Sequence, residues 1–205
     1  MTETTTDLVV LHTLRCIGFA GLPRVADVSA LSESDAESEL IDLAVAGLVT
    51  RTRGPGDLAT WGLTEAGKAE DERRITRELD EAGARGAVTR SFEEFLRLNP
   101  ELLDICSAWQ MRSVDGVPTI NDHTDPAYDA RILERFVDLD RRAAGVCADL
   151  TAALPRFGRY RVRLAEALDR ARGGALEHLT DTTTSYHNVW FQLHEDLLAT
   201  LGIPR

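Results

Sequence analysis

The stretch Leu40–Lys68 constrains this chain most: L-I-D-L-A-V-A-G-L-V-T-R-T-R-G-P-G-D-L-A-T-W-G-L-T-E-A-G-K. An apolar periodic run ends at Gly47, a natural helix stop. Two β-permissive runs follow, Val49–Arg53 and Leu58–Leu63, around Gly54-Pro55-Gly56. A Gly/Pro cluster between such runs predicts an antiparallel ribbon with the turn at its tip. Leu63-Thr64-Glu65-Ala66-Gly67 then opens another helix. Helix, ribbon and helix within 30 residues leave little room for any other small layered fold.

Upstream, Asp7–Phe19 reads as a helix whose apolar residues cover nearly the whole circumference. An all-round apolar helix must be buried on every side. In so small a module this predicts a covering partner, a second subunit or a second domain. Gly21-Leu22-Pro23 starts a short second helix to about Leu31. Ser32 is a natural N-cap for a third, with Glu33, Asp35 and Glu37 in its first turns favouring the positive helix end. Leu40, Leu43, Ala44 and Leu48 fall on one arc and face the core.

Beyond Thr64 the pattern is almost entirely helical. Expected helices are 65–82, 88–98, 99–111, 126–154, 156–172 and 175–201, with breaks at Gly83, Gly86, Asn99-Pro100, Pro155 and Gly173-Gly174. Residues 113–125 read as the longest loop. The expected architecture is mostly α: an N-terminal module of three helices plus a two-stranded ribbon over 1–68, then an all-helical domain over 69–205.

Gly47-Leu48-Val49, the Arg51/Arg53 strand and Leu63-Thr64-x-x-Gly67 resemble the winged helix-turn-helix of the MarR and PadR families of bacterial regulators. The resemblance covers Leu8–Lys68, about a third of the chain. It implies DNA binding, with the third helix in the major groove. Ser38 would then face the bases, while Arg51 and Arg53 from the wing and Arg24 beside it would lie along phosphates. The apolar first helix predicts a homodimer, which would also set two wings on one duplex, and the helical domain is expected to support dimerisation or ligand sensing.

Charge points elsewhere. The net charge is −11, and every basic side chain but Lys68 is an arginine. Residues 1–65 hold four arginines against ten acids. The outward arc of the third helix carries Asp35, Ser38, Glu39 and Asp42, with none of the arginine, lysine, asparagine or glutamine that makes most base contacts. Duplex phosphates repel such a face. The second reading is therefore a winged helix that docks a protein partner or binds a small molecule.

Three further clusters stand out. Tyr186, His187, Trp190, Phe191 and His194, with Trp109, could line a pocket for an aromatic or amphipathic ligand, or form a packed core. Asp122-His123-Thr124-Asp125-Pro126 could supply ligands to a hard metal, but its simpler reading is a cap, with Thr124 or Asp125 as N-cap and Pro126 at the first helical position. Arg156, Arg159, Arg161 and Arg163 lie in the most basic stretch, an anion or partner patch or a solvated helix face. Cys16, Cys106 and Cys147 are too scattered for a redox pair and read as small core hydrophobes. No motif calls for a metal, a cofactor or an enzyme's nucleophile, and no apolar run has membrane-spanning length. The expected setting is the cytoplasm.

Overall fold

The computed structural model describes residues 4–53, 58–114 and 116–204. The expected Gly54-Pro55-Gly56 tip lies outside them. Among the described residues the chain forms eight α-helices and two small antiparallel ribbons. No helix there is long and apolar enough to cross a membrane.

Helices α1 (Thr6–Ile17), α2 (Leu22–Ser29) and α3 (Glu33–Val45) come first. As expected, Ser32 caps α3, its hydroxyl accepting from the Asp35 amide at 3.1 Å. Gly47 ends that segment with a φ of 74°. Strands β1 (Val49–Arg53) and β2 (Ala59–Leu63) pair antiparallel with Val49 opposite Leu63 and Arg51 opposite Trp61. The Trp61 backbone also bonds both ways to Ala20, at 2.8 and 2.9 Å, which ties the ribbon to the α1–α2 connection. Val10, Leu11, Leu14, Val25, Leu40, Leu43, Val49 and Trp61 close one apolar core around this module.

Helix α4 (Glu65–Glu81) leaves the ribbon through Thr64. The Thr64 hydroxyl accepts from the Gly67 amide at 3.0 Å and donates to the Gly47 carbonyl at 2.8 Å. One threonine thereby caps α4 and holds the turn that ends α3.

Helices α5 (Arg85–Gln110), α6 (Pro126–Ala153), α7 (Gly158–Arg172) and α8 (Tyr186–Leu201) build the larger core around Phe95, Trp109, Phe136, Tyr160, Tyr186 and Trp190. A short 3-10 turn, Pro155–Phe157, joins α6 to α7, and another, Leu176–His178, precedes α8.

Three expected boundaries are corrected. Helix α5 runs straight through Asn99-Pro100. Proline removes one ladder bond, but Phe92 and Phe95 before it and Leu102, Ile105 and Trp109 after it are all buried, and that packing holds the helix together. The expected loop at 113–125 contains a hairpin, β3 (Met111–Val114) with β4 (Val117–Ile120). The expected helix over 175–201 begins only at Tyr186, where Ser185 caps it, its hydroxyl accepting from the Asn188 amide.

Helix α1 is covered within the chain. It packs against α2, α3, α4, β2 and, from the far side, α8. Its apolar circumference is therefore no argument for a second subunit.

Gly67 gives this layout a direct check. A Cβ there would sit 1.9 Å from the Leu48 carbonyl oxygen. Gly67→Ala is expected to destabilise the protein by about 3 kcal/mol or more in urea titration, because backbone cannot yield as a side chain can. Gly145→Ala on α6 meets nothing within 4 Å and should stabilise by about 0.5–1 kcal/mol.

Candidate functional site: an acidic helix face and a buried ionic seam

The expected groove-facing surface is acidic and partly apolar. Along α3, Glu33, Glu37, Ser38 and Asp42 are exposed, and so are Ile41 at 49% and Val45 at 85%. Residues 37, 41 and 45 are successive i, i+4 neighbours, so Ile41 and Val45 form an apolar stripe on the outer face. Burial, then the nearby carboxylates Asp7, Asp42 and Asp35, raise the Glu39 carboxyl above its ordinary value. Ser38 sits in the middle of this face. Arg51 and Arg53 are exposed on β1, and the Arg51 guanidinium lies 5.4 Å from the Trp61 ring centroid. Arg24 is held back: it binds Asp27 at 2.9 Å and donates to the Thr183 carbonyl at 2.5 Å.

The arginine stretch is not a surface patch, because it turns inward. Arg156 and Arg159 side chains are 3% and 8% exposed. Arg156 donates to Glu78 at 2.8 Å, to Asp196 Oδ1 at 2.6 Å and to Thr200 at 2.6 Å. Arg159 reaches Asp196 Oδ2 at 3.0 Å and Thr13 at 3.1 Å. Arg161 grips Asp140 with two bonds, at 2.7 and 2.8 Å. Arg163 donates to Gln192 Oε1 at 2.7 Å, and burial lowers its guanidinium to about 10. None of these partners lies on α3.

At the centre is Asp196, fully buried on α8. Its carboxylate accepts from Arg156, Arg159, His12 Nε2 at 3.0 Å, Tyr160 OH at 2.8 Å and Thr200 at 3.0 Å. The other ring nitrogen of His12 faces Asp71 on α4 at 3.0 Å. His12 is thus wedged between two carboxylates. Burial opposes its charge, but Asp71, Cys16 and Asp196 outweigh that and raise it well above its ordinary 6.5. Burial likewise opposes the Asp196 charge, yet Arg156, His12 and Arg159 hold it well below its ordinary 3.8. Three cations (His12, Arg156, Arg159) meet three anions (Asp71, Glu78, Asp196), so the cluster is internally neutral. Buried charges persist only when so paired.

The His12, Cys16 and Asp196 donor atoms lie within 4.8 Å of one another, close enough to suggest a metal. The Asp196 oxygens are already saturated by five donors, and two guanidiniums stand beside them. A cation would be repelled, and no metal is assigned there.

The aromatic cluster is also interior. Tyr186 is fully buried, and its hydroxyl donates to Asp140 at 3.2 Å. Trp190 stacks on Phe95 at 4.5 Å and donates to Asn99 at 2.9 Å. His194 stacks on Phe95 and Phe92. His187 is half-buried and Phe191 is 42% exposed. Trp109 packs elsewhere, against His123 at 4.5 Å. These residues fill a core and do not converge on one pocket. The 122–126 segment acts as a cap, Asp125 accepting from the Ala127 and Tyr128 amides. The cysteines are buried and unpaired, and burial raises the Cys106 and Cys147 thiols to about 12 and about 11.

His12, Asp71, Glu78, Asp140 and Asp196 are absent from the sequence-derived candidates. The available signal was a charged or titratable residue on an apolar helix stripe: His12 between Leu11 and Leu14, and Asp196 between Leu193 and Leu197. In comparisons with known proteins, no family model, curated protein or solved structure matches the chain.

Asp196→Ala would leave three buried cations facing two anions, with Arg159 losing its carboxylate, and a loss of about 3–5 kcal/mol is expected in denaturant unfolding. The pH dependence has a definite sign. Because His12 binds its proton more tightly when folded, its contribution is complete below 6.5 and is lost as pH rises through the folded value. Asp196 contributes above 3.8 and loses that only as pH falls through its lower folded value. Stability should therefore decline above neutrality with a slope of up to about 1.4 kcal/mol per pH unit. Between about pH 7 and 8, below the ordinary thiol range, the slope should vanish in His12→Gln.

Proposed function

We propose that residues 6–68 form a winged helix-turn-helix module of the bacterial-regulator kind, and that its third helix docks a protein partner. The order α1–α2–α3–β1–β2–α4 and the Thr64 clamp support the winged-helix reading. The single observation that carries the docking reading is the outer face of α3. An exposed Ile41–Val45 stripe among Glu33, Glu37 and Asp42 suits a basic, amphipathic protein segment. Apolar contact supplies affinity, and the carboxylates supply orientation and encounter rate. On duplex DNA the same face would meet phosphates with carboxylates.

Arg51 and Arg53 favour a second reading in which the wing lies along a phosphate backbone and the protein acts as a transcriptional regulator on DNA. Wing contacts alone position a protein but read no sequence. Under this reading α3 contributes little, and binding depends on the two arginines.

A photo-crosslinking residue at Ser38 separates the readings in the cells that make the protein. Docking predicts a discrete protein adduct that disappears in an Ile41→Asp, Val45→Asp double variant. Adducts to nucleic acid, unchanged by that variant and lost in Arg51→Ser, Arg53→Ser, would replace docking with the DNA reading.

A further inference from the structure

A cavity of about 460 Å³ opens where the start of α1 meets the ends of α4 and α6. That volume lies within the usual range of small-ligand sites. Leu8, Ala153, Leu154 and Pro155 give it an apolar floor. Arg74, Arg77, Glu78 and Glu81 line its polar side.

Those charges are not equally available. Arg74 is held by both oxygens of Asp7, at 2.8 and 3.0 Å. Glu78 is occupied by Arg156 at 2.8 Å and by the Thr4 hydroxyl. Arg77 and Glu81 are the loose pair, 3.8 Å apart and each 58% exposed. Formal charge around the cavity therefore cancels.

The end of α6 does not cancel. Both α4 and α6 terminate at this cavity, and neither has a basic residue in its last turn. At α4 the Ala82, Gly83 and Ala84 amides already satisfy the Glu78, Asp80 and Leu79 carbonyls, so the partial negative charge of an open C-terminus is left at α6. Pro155 has no amide hydrogen to give to α6, and among the described residues no backbone amide outside the helix reaches the Ala152 or Ala153 carbonyl. The cavity thus joins an apolar floor to the open carbonyl end of α6 and one loosely held carboxylate, Glu81.

We propose that this cavity binds a small primary amine with an apolar body. The ammonium would sit at Glu81 and the α6 end, displacing Arg77 toward solvent, with the body against Leu154 and Pro155. The site is independent of α3 and does not rest on the docking reading.

The test is calorimetric titration of the full chain with 2-phenylethylamine, 3-phenylpropionate and 2-phenylethanol, which share a ring and differ in the head group. The amine should bind about tenfold more tightly than either analogue, a difference of about 1.4 kcal/mol. Glu81→Gln, an exposed and fold-neutral change, should weaken the amine by about threefold, as expected of an exposed charge. Ala82→Trp, at the exposed cap of α4, should block the mouth and abolish binding while leaving the circular dichroism unchanged. No binding of the amine, tighter binding of the carboxylate, equal binding of the alcohol, or full binding to Ala82→Trp would each overturn the proposal.

Discussion

One buried carboxylate decides how this chain is put together. Asp196 draws donors from α1, α7, α8 and the turn before α7, and through His12 it reaches Asp71 on α4. Removing a carboxylate and its cations from water is costly, and only full satisfaction of the donors repays it. Five donors satisfy the two Asp196 oxygens, while Arg159 Nε stays buried without a partner. Buried ion pairs add little net stability, but breaking one leaves charges stranded in an apolar interior.

That constraint shapes what remains for function. With α8 against α1 and α4, the N-terminal module sits on the helical core and most apolar residues of its first helix are buried within the chain. The arginines, the chain's most basic stretch, are consumed in holding this seam. The outside of α3 is left as a surface with exposed apolar side chains and one sign of charge, and the edge of β1 as a place where arginines are displayed. The cavity between the ends of α4 and α6 adjoins the seam through Glu78, whose carboxylate faces both.

Local chemistry was legible in the sequence, and long-range pairing was not. Ser32, Thr64, Gly47 and Asp125 announce caps and turns because their partners lie within a few residues. The ribbon strands were legible for the same reason. Pro100 misled because its local cost is outweighed by burial on both sides of α5, a tertiary effect. The β3–β4 hairpin was missed because its strands are four residues each and exposed. The arginines of 156–163 read as a patch because a sequence shows charge without showing direction, and their partners Glu78, Asp140 and Asp196 lie 21 to 78 positions away. His12 and Asp196 interrupt apolar helix stripes, a signal visible in the sequence but not sufficient to pair two residues 184 positions apart.

The claim that α3 presents a protein-docking face and not a groove-reading one meets its most direct test in fluorescence anisotropy. Labelled duplex DNA of mixed sequence would be titrated with the full chain at low ionic strength, where attraction to phosphates is strongest. The account predicts no saturable binding by the wild type. Saturable binding that weakens steeply with added salt and is lost when Ser38 is replaced by aspartate would place α3 against DNA and contradict it.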